Sequence, residues 1–315
     1  MSVREPQCQA VMLIGFGAPT AGSEVRPFLD RVLAGRPIPP ARYAEVLRHY
    51  EAVGCHSPYN EITMRLAIAV RERLEQMRIH VPVISGFRFM QPFIGDAIQD
   101  LRQRGIRRAF AFVLAAHRCE ASWDRYLDEV KLVRARLGAN APEFEYPSPW
   151  HAEPAFIAAS TQQARTAMEQ LETSGHKYAE LIFTAHSIPL SMSGQAAYVA
   201  QLHESARLIA LGLKRQSWTL AFQSRSGHPR EPWLEPDIKE VLRKLAGRQA
   251  VVVPLGFLCD NVEVLYDLDI EAARVARETG VAIVRAATVG EHSAFVQMIA
   301  NFASRHLGKA ALGTG

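Results

Sequence analysis

Short apolar runs alternate along the chain with longer stretches in which apolar residues recur every three or four positions. Ala10–Gly15, Pro82–Gly86 and Ala109–Ala115 in the first half are continuous, β-rich runs of this kind. Leu181–Ala185, Trp218–Phe222, Ala250–Leu255 and Val281–Arg285 are their counterparts in the second half. Runs this short and this apolar predict strands buried on both faces. The helical rhythm is clearest where Ile62, Leu66, Val70, Leu74 and Met77 repeat with Arg65, Arg71, Glu72 and Arg73 between them. Helices are predicted over Tyr43–Val53, Glu61–Arg78, Phe93–Arg104, Pro154–Thr173, Tyr198–Gly212, Pro236–Ala246, Val262–Glu278 and His292–His306. The alternation of strand and helix predicts an α/β fold with parallel sheets. Pro142, Pro147, Pro149 and Pro154 mark a boundary. The expected organisation is two similar doubly wound, Rossmann-like lobes, residues 1–148 and 149–315, with a cleft between them. In such sheets ligands sit beyond the carboxyl ends of the strands, so chemistry is sought just after each strand.

Composition narrows the function. With 36 basic and 32 acidic residues among 315, the net charge is +4, and no block of like charge stands out. Nucleic acid is therefore not an expected partner, although a mild positive bias helps to steer a polyanionic small molecule. The longest apolar runs, Ala109–Ala116 and Ala250–Cys259, fall short of the roughly 18 residues a spanning helix needs. Gln9–Ala18 ends in a Gly-Phe-Gly-Ala-Pro turn and reads as a first strand, not as a signal segment. Cys8, Cys55, Cys119 and Cys259 lie far apart, which excludes a zinc ribbon, argues against a disulfide framework and makes the cytoplasm the expected compartment.

Four segments carry candidate chemistry. Gly15-Phe16-Gly17 begins like a dinucleotide fingerprint, but Thr20 occupies the place of the third glycine. His186 closes an apolar strand, where an imidazole can act as base or metal ligand; a ring satisfied by its own loop is the alternative. His117 holds a similar place in the first lobe, and there the structural reading leads. The stretch 256–271 holds five carboxylates, Asp260, Glu263, Asp267, Asp269 and Glu271, with no base before Arg274. Glu263, Asp267 and Glu271 are spaced to share one helix face. Like charges at that spacing each cost a helix about 0.2–0.5 kcal/mol. A cation or proton path and a solvated face both remain open. Gln223–Gly227 and Pro232–Pro236 read as a turn-rich loop leading into a helix.

Taken in order, Thr184-Ala185-His186-Ser187-Ile188-Pro189, Gln223-Ser224-Arg225-Ser226-Gly227, Pro232-Trp233-Leu234, Pro254-Leu255-Gly256-Phe257 and Glu263-Val264-Leu265-Tyr266-Asp267 resemble the ferrochelatase family. The likeness runs over roughly residues 10 to 307. Gly35-Arg36, Tyr50-Glu51-Ala52-Val53-Gly54, Ser57-Pro58 and Leu114-Ala115-Ala116-His117 resemble its soluble bacterial branch, whose substrate is coproporphyrin III. The resemblance implies insertion of Fe2+ into a porphyrin, with His186 and Glu263 as the catalytic and metal-binding pair. Asp267 and Glu271 would then be a secondary acidic path. Phe16, His49, Tyr50, Ser57, Arg88 and Tyr126 are implied porphyrin contacts, with Arg36 a further cation for propionates. No tightly bound cofactor and no iron–sulfur cluster is expected, and a monomer is. Some positions depart from the pattern: Phe16 replaces a tyrosine able to ligate iron, and Leu33 and His49 replace basic residues. Cys55 interrupts a glycine pair, and Phe89 and Asn261 stand where histidine is common. Protoporphyrin IX as substrate, another metal such as cobalt, and a non-catalytic porphyrin or haem carrier are the alternative readings.

Overall fold

The structure is a computed structural model and describes residues 7–34, 39–175, 179–226 and 230–307. Strands β1 (Val11–Gly15), β2 (Val83–Phe87), β3 (Arg108–Val113) and β4 (Glu143–Glu145) form a parallel sheet in the order β2-β1-β3-β4. Strands β5 (Glu180–His186), β6 (Thr219–Gln223), β7 (Gln249–Val253) and β8 (Ala282–Arg285) form a second in the order β6-β5-β7-β8. The two topologies are the same, so β1 and β5 are equivalent. Each lies where the strand order reverses, the place at which open α/β sheets bind ligands.

Helices α1 (Gly22–Val32), α2 (Pro40–Ala52), α3 (Tyr59–Gln76), α4 (Ile94–Gln103) and α5 (Arg125–Leu137) belong to the first half. Helices α6 (Pro154–Thr173), α7 (Gln195–Gly212), α8 (Ile238–Lys244), α9 (Ala273–Thr279) and α10 (Ser293–His306) follow. The doubly wound α/β architecture expected from the sequence is present. Helices α1 and α5 and strand β4 were not anticipated. Pro27 argues against a helix over α1 despite the helical spacing of Val25, Phe28, Leu29 and Val32, and β4 is a three-residue strand inside the proline-rich segment.

Alternation along the strands sorts side chains into layers. Val11, Leu13, Phe110 and Phe112 of the first sheet share one continuous core with Leu181, Phe183, Val251 and Val253 of the second. Their neighbours in sequence, Met12, Ile14, Ala111 and Val113, pack outward against α4 and α5. Ile182, Ala250 and Val252 do likewise against α8, α9 and the π-helical segment Val264–Ala272 that leads into α9. Trp150 of the linker is fully buried in the shared core. It stacks on Phe112 at 5.0 Å and meets Phe156 edge-on at 5.3 Å. Burying a large apolar side chain gains about 1.5–3 kcal/mol, so this anchor fixes the linker between the sheets.

Candidate active site

Both first strands end at candidate chemistry. At β1, the chain turns through Gly17 (φ +80°), a left-handed conformation in which an added Cβ would lie 2.7 Å from Phe87 Cβ. This turn presents Phe16, whose ring lies 4.7 Å from Phe89 and 6.1 Å from Phe28. The glycines thus serve a strand exit beside an aromatic surface. At β5, Gly256 comes so close that a Cβ there would lie 2.7 Å from Ala185 Cβ. Its N–H donates to Thr184 O at 2.9 Å. That close approach explains the glycine of Pro254-Leu255-Gly256-Phe257 and brings the acidic segment beside His186.

His186 Nδ1 bonds the Ser187 carbonyl, which can only accept, so Nδ1 carries hydrogen and Nε2 is directed to Glu263. The Nε2–Oε1 distance is 3.5 Å. Burial pulls the imidazole down, but the charge and hydrogen bond of Glu263, the Ser187 carbonyl and the charge of Asp267 outweigh it and raise it to about 9. The ring facing Glu263 therefore favours its protonated form at neutral pH. Burial pushes Asp267 up to about 7; the charges of Glu263 and Glu271 add to that, while the Ser224 hydroxyl and His186 oppose it. Asp267 accepts a hydrogen bond from Ser224 Oγ.

The predicted helix Val262–Glu278 is not α-helical throughout. Residues Val264–Ala272 form a π-helix, followed by α9. The wider turn has no mark in the hydrophobic pattern; π segments of this kind are frequent at functional sites. Asn261 Oδ1 accepts from Val264 N at 3.0 Å and so caps the start of this segment. The five carboxylates separate into two groups. Arg285 holds Asp260 at 3.1 Å and Asp269 at 2.7 Å. Lys239 of α8 reaches Glu271 at 2.9 Å. Only Glu263 and Asp267 are left to His186 and Ser224. The acidic line is therefore closed at its outer end by a lysine 32 residues away in sequence, which local spacing could not show.

The remaining predicted residues fall on both sides of this pair. Tyr50 and Tyr126 are buried; burial and the Glu263 charge both raise their phenols, with the Arg88 charge opposing at Tyr126. Tyr50 packs on Phe28 with ring centroids 6.0 Å apart. Arg88 lies over the Phe89 ring at 4.8 Å, and Arg31, which sequence reasoning passed over, donates to Phe89 O at 2.9 Å. His49 stacks on Tyr266 at 3.9 Å, and its pKa lies below the ordinary histidine value, chiefly through burial. Ser57 is fully buried, so its hydroxyl is not at the surface of the cleft. Arg36 lies outside the described residues. Gln223 and Tyr198 were also missed: Gln223 Nε2 donates to Glu263 O at 3.0 Å, and Tyr198 OH donates to His186 O at 3.1 Å. A polar residue ending an otherwise apolar strand next to β5 was the available signal for Gln223.

An imidazole and a carboxylate at the switch point of one sheet, and an aromatic cluster at the switch point of the other, sit in a two-lobed chelatase-like fold. Solved structures agree on the fold: SirB from Bacillus subtilis with Fe3+ superposes with TM-score 0.60 at 13% identity, covering 96% of each chain. CbiX, described as the terminal enzyme of sirohaem biosynthesis in denitrifying bacteria, gives 0.54 at 17%, covering 95% of this chain and all of that one. The family model for ferrochelatase matches residues 8–307. A ferrochelatase from Rhodopirellula baltica is 35% identical, covering 96% of this chain and 88% of that protein. A coproporphyrin III ferrochelatase from Propionibacterium freudenreichii is 40% identical, covering 93% and 85%. The chain belongs to the ferrochelatase family.

Proposed function

We propose that this protein inserts Fe2+ into coproporphyrin III, and that it does so as a monomer in the cytoplasm without a resident cofactor. The observation that carries the reading is the His186–Glu263 pair, 3.5 Å apart, with Asp267 behind it. Metallation releases two pyrrole protons and needs donors for a partly dehydrated divalent ion. Imidazole and carboxylate suit Fe2+. In the free protein the pair holds a proton. An arriving dication lowers the affinity of His186 for that proton, which passes to solvent and leaves Nε2 able to ligate or to accept a pyrrole proton. Asp267, with its pKa near 7, can take up and release protons under working conditions. Phe16 and Phe89, backed by the buried Phe28, offer the macrocycle an apolar face that carries no ligand for iron. Among the described residues, Arg31 and Arg88 flank Phe89, and this reading assigns them to the propionates. Relatives named coproporphyrin III ferrochelatase support the choice of porphyrin. Among the described residues no helix is long and apolar enough to cross a membrane.

Anaerobic metallation with Fe2+, followed by loss of free-porphyrin fluorescence, tests the reading. Coproporphyrin III should be turned over in preference to protoporphyrin IX. Tight binding of either porphyrin without metallation would overturn it in favour of a carrier.

A further inference from the structure

Gln223 touches both halves of the His186–Glu263 pair. It ends β6, in register with His186 on β5, and is 2% exposed. Its main-chain oxygen accepts from Ser187 N at 2.8 Å, and Ser187 is the residue whose carbonyl takes the Nδ1–H of His186. Its side-chain Nε2 donates to the main-chain oxygen of Glu263 at 3.0 Å. One residue therefore ties the backbone beneath the base to the backbone beneath the acid. Ser224 continues the arrangement. It adopts φ +62°, a region that residues other than glycine and asparagine seldom occupy, and its hydroxyl donates to Asp267. Two adjacent residues leaving one strand thus hold the backbone of Glu263, just before the π-helix, and the carboxylate of Asp267 within it. The loop-and-turn explanation of Gln223-Ser224 accounts for neither bond, nor for a glutamine buried at the end of an apolar strand.

We infer that Gln223 and Ser224 are positioning residues that set the separation and facing of His186, Glu263 and Asp267 without touching the substrate. The inference rests on the reading of His186 and Glu263 as the metallation pair. Holding reacting groups in place is worth about 10²-fold per ångström of misplacement, so a loss through geometry appears in turnover and not in affinity.

The test compares the parent, Gln223→Met, Glu263→Gln and the double variant in the anaerobic Fe2+ assay, with porphyrin Kd measured separately by fluorescence quenching. Gln223→Met removes the donor at similar side-chain length and leaves the bond to Ser187 N. It should lower kcat about 10- to 100-fold, with KM and Kd for coproporphyrin III within about twofold. Because Gln223 acts through Glu263, the double variant should be no slower than Glu263→Gln alone. Ser224→Ala should likewise be non-additive with Asp267→Asn. A Gln223→Met enzyme within twofold of the parent overturns the inference, as do multiplicative losses in the double variant or a Kd that weakens as much as kcat falls. If Gln223→Met does not fold by circular dichroism, the Ser224/Asp267 cycle decides alone, and additive losses there overturn the inference. A parent that metallates no porphyrin overturns the proposed function and this inference with it; an active parent with an unaffected Gln223→Met overturns this inference only.

Discussion

At His186 two opposing influences meet, and their balance decides what the residue can do. Burial favours the neutral ring, which is the form that ligates a metal. Glu263, Ser187 and Asp267 favour the cation and win, so the group sits at about 9. The proposed chemistry uses the deprotonated ring, so kcat/KM should rise with pH through the neutral range, reach half its maximum near 9 and level off above that. Glu263→Gln removes the charge that raises the ring and leaves burial in place. Its profile should therefore rise at lower pH than the parent's, towards the ordinary histidine value, while maximal turnover falls. A pH–rate profile of the two enzymes side by side checks both signs. His186→Ala should abolish metallation and leave porphyrin affinity within a few-fold, because the ring is a reacting group and not part of the aromatic surface. Fluorescence titration with porphyrin alone separates the two effects.

The π-helix shows how an element can place carboxylates where a solvated helix would not keep them. Arg285 is the counterweight: its side chain is 18% exposed and spans Asp260 and Asp269 across the segment. Arg285→Met would leave two partly buried carboxylates without their cation. The expected loss is about 2 kcal/mol, less than for a fully buried pair because solvent still screens Asp269. Urea unfolding of the variant measures it. Much of this element was legible in the sequence. Spacing puts Glu263, Asp267 and Glu271 on one face of an α-helix; in the π-helix Asp267 lies close enough to feel the charges of both others, while Glu271 pairs with Lys239. What the spacing could not carry was the partner list. Lys239 and Arg285 come from α8 and β8, and nothing local to residues 260–271 announces them. The strands were legible for the opposite reason, since a strand buried on both faces must be apolar throughout, as Val11–Gly15 is. Helix α1 has helical spacing in Val25, Phe28, Leu29 and Val32, but Pro27 in its middle reads as a breaker; its apolar face packs in a small cluster with Tyr50 and Met90.

Across the whole molecule the lobes are joined by polar contacts as well as by the shared core, and one of these makes the fold sensitive to acid. His117 follows β3 of the first sheet, and its Nε2 meets Ser205 Oγ of α7 at 3.0 Å. The Ser205 hydroxyl donates its one hydrogen to the His151 carbonyl at 2.7 Å, so it must accept from His117 Nε2–H. The ring is buried and neutral. Burial, with the nearby His151 adding to it, lowers its pKa to about 3, against about 6.5 in the unfolded chain. Above pH 6.5 neither state binds the proton and His117 contributes no pH dependence. Between 6.5 and 3 the unfolded chain binds it and the folded protein does not, so stability falls as pH falls, by about 1.4 kcal/mol per unit from this one group. At pH 5 the loss is about 2 kcal/mol relative to neutral pH. Urea unfolding midpoints of the parent and His117→Gln at pH 7 and pH 5 measure it. The variant, lacking the titrating ring, should lose less stability than the parent over that interval, by roughly the same 2 kcal/mol; equal losses would show that the acid sensitivity arises elsewhere than at this junction between the lobes.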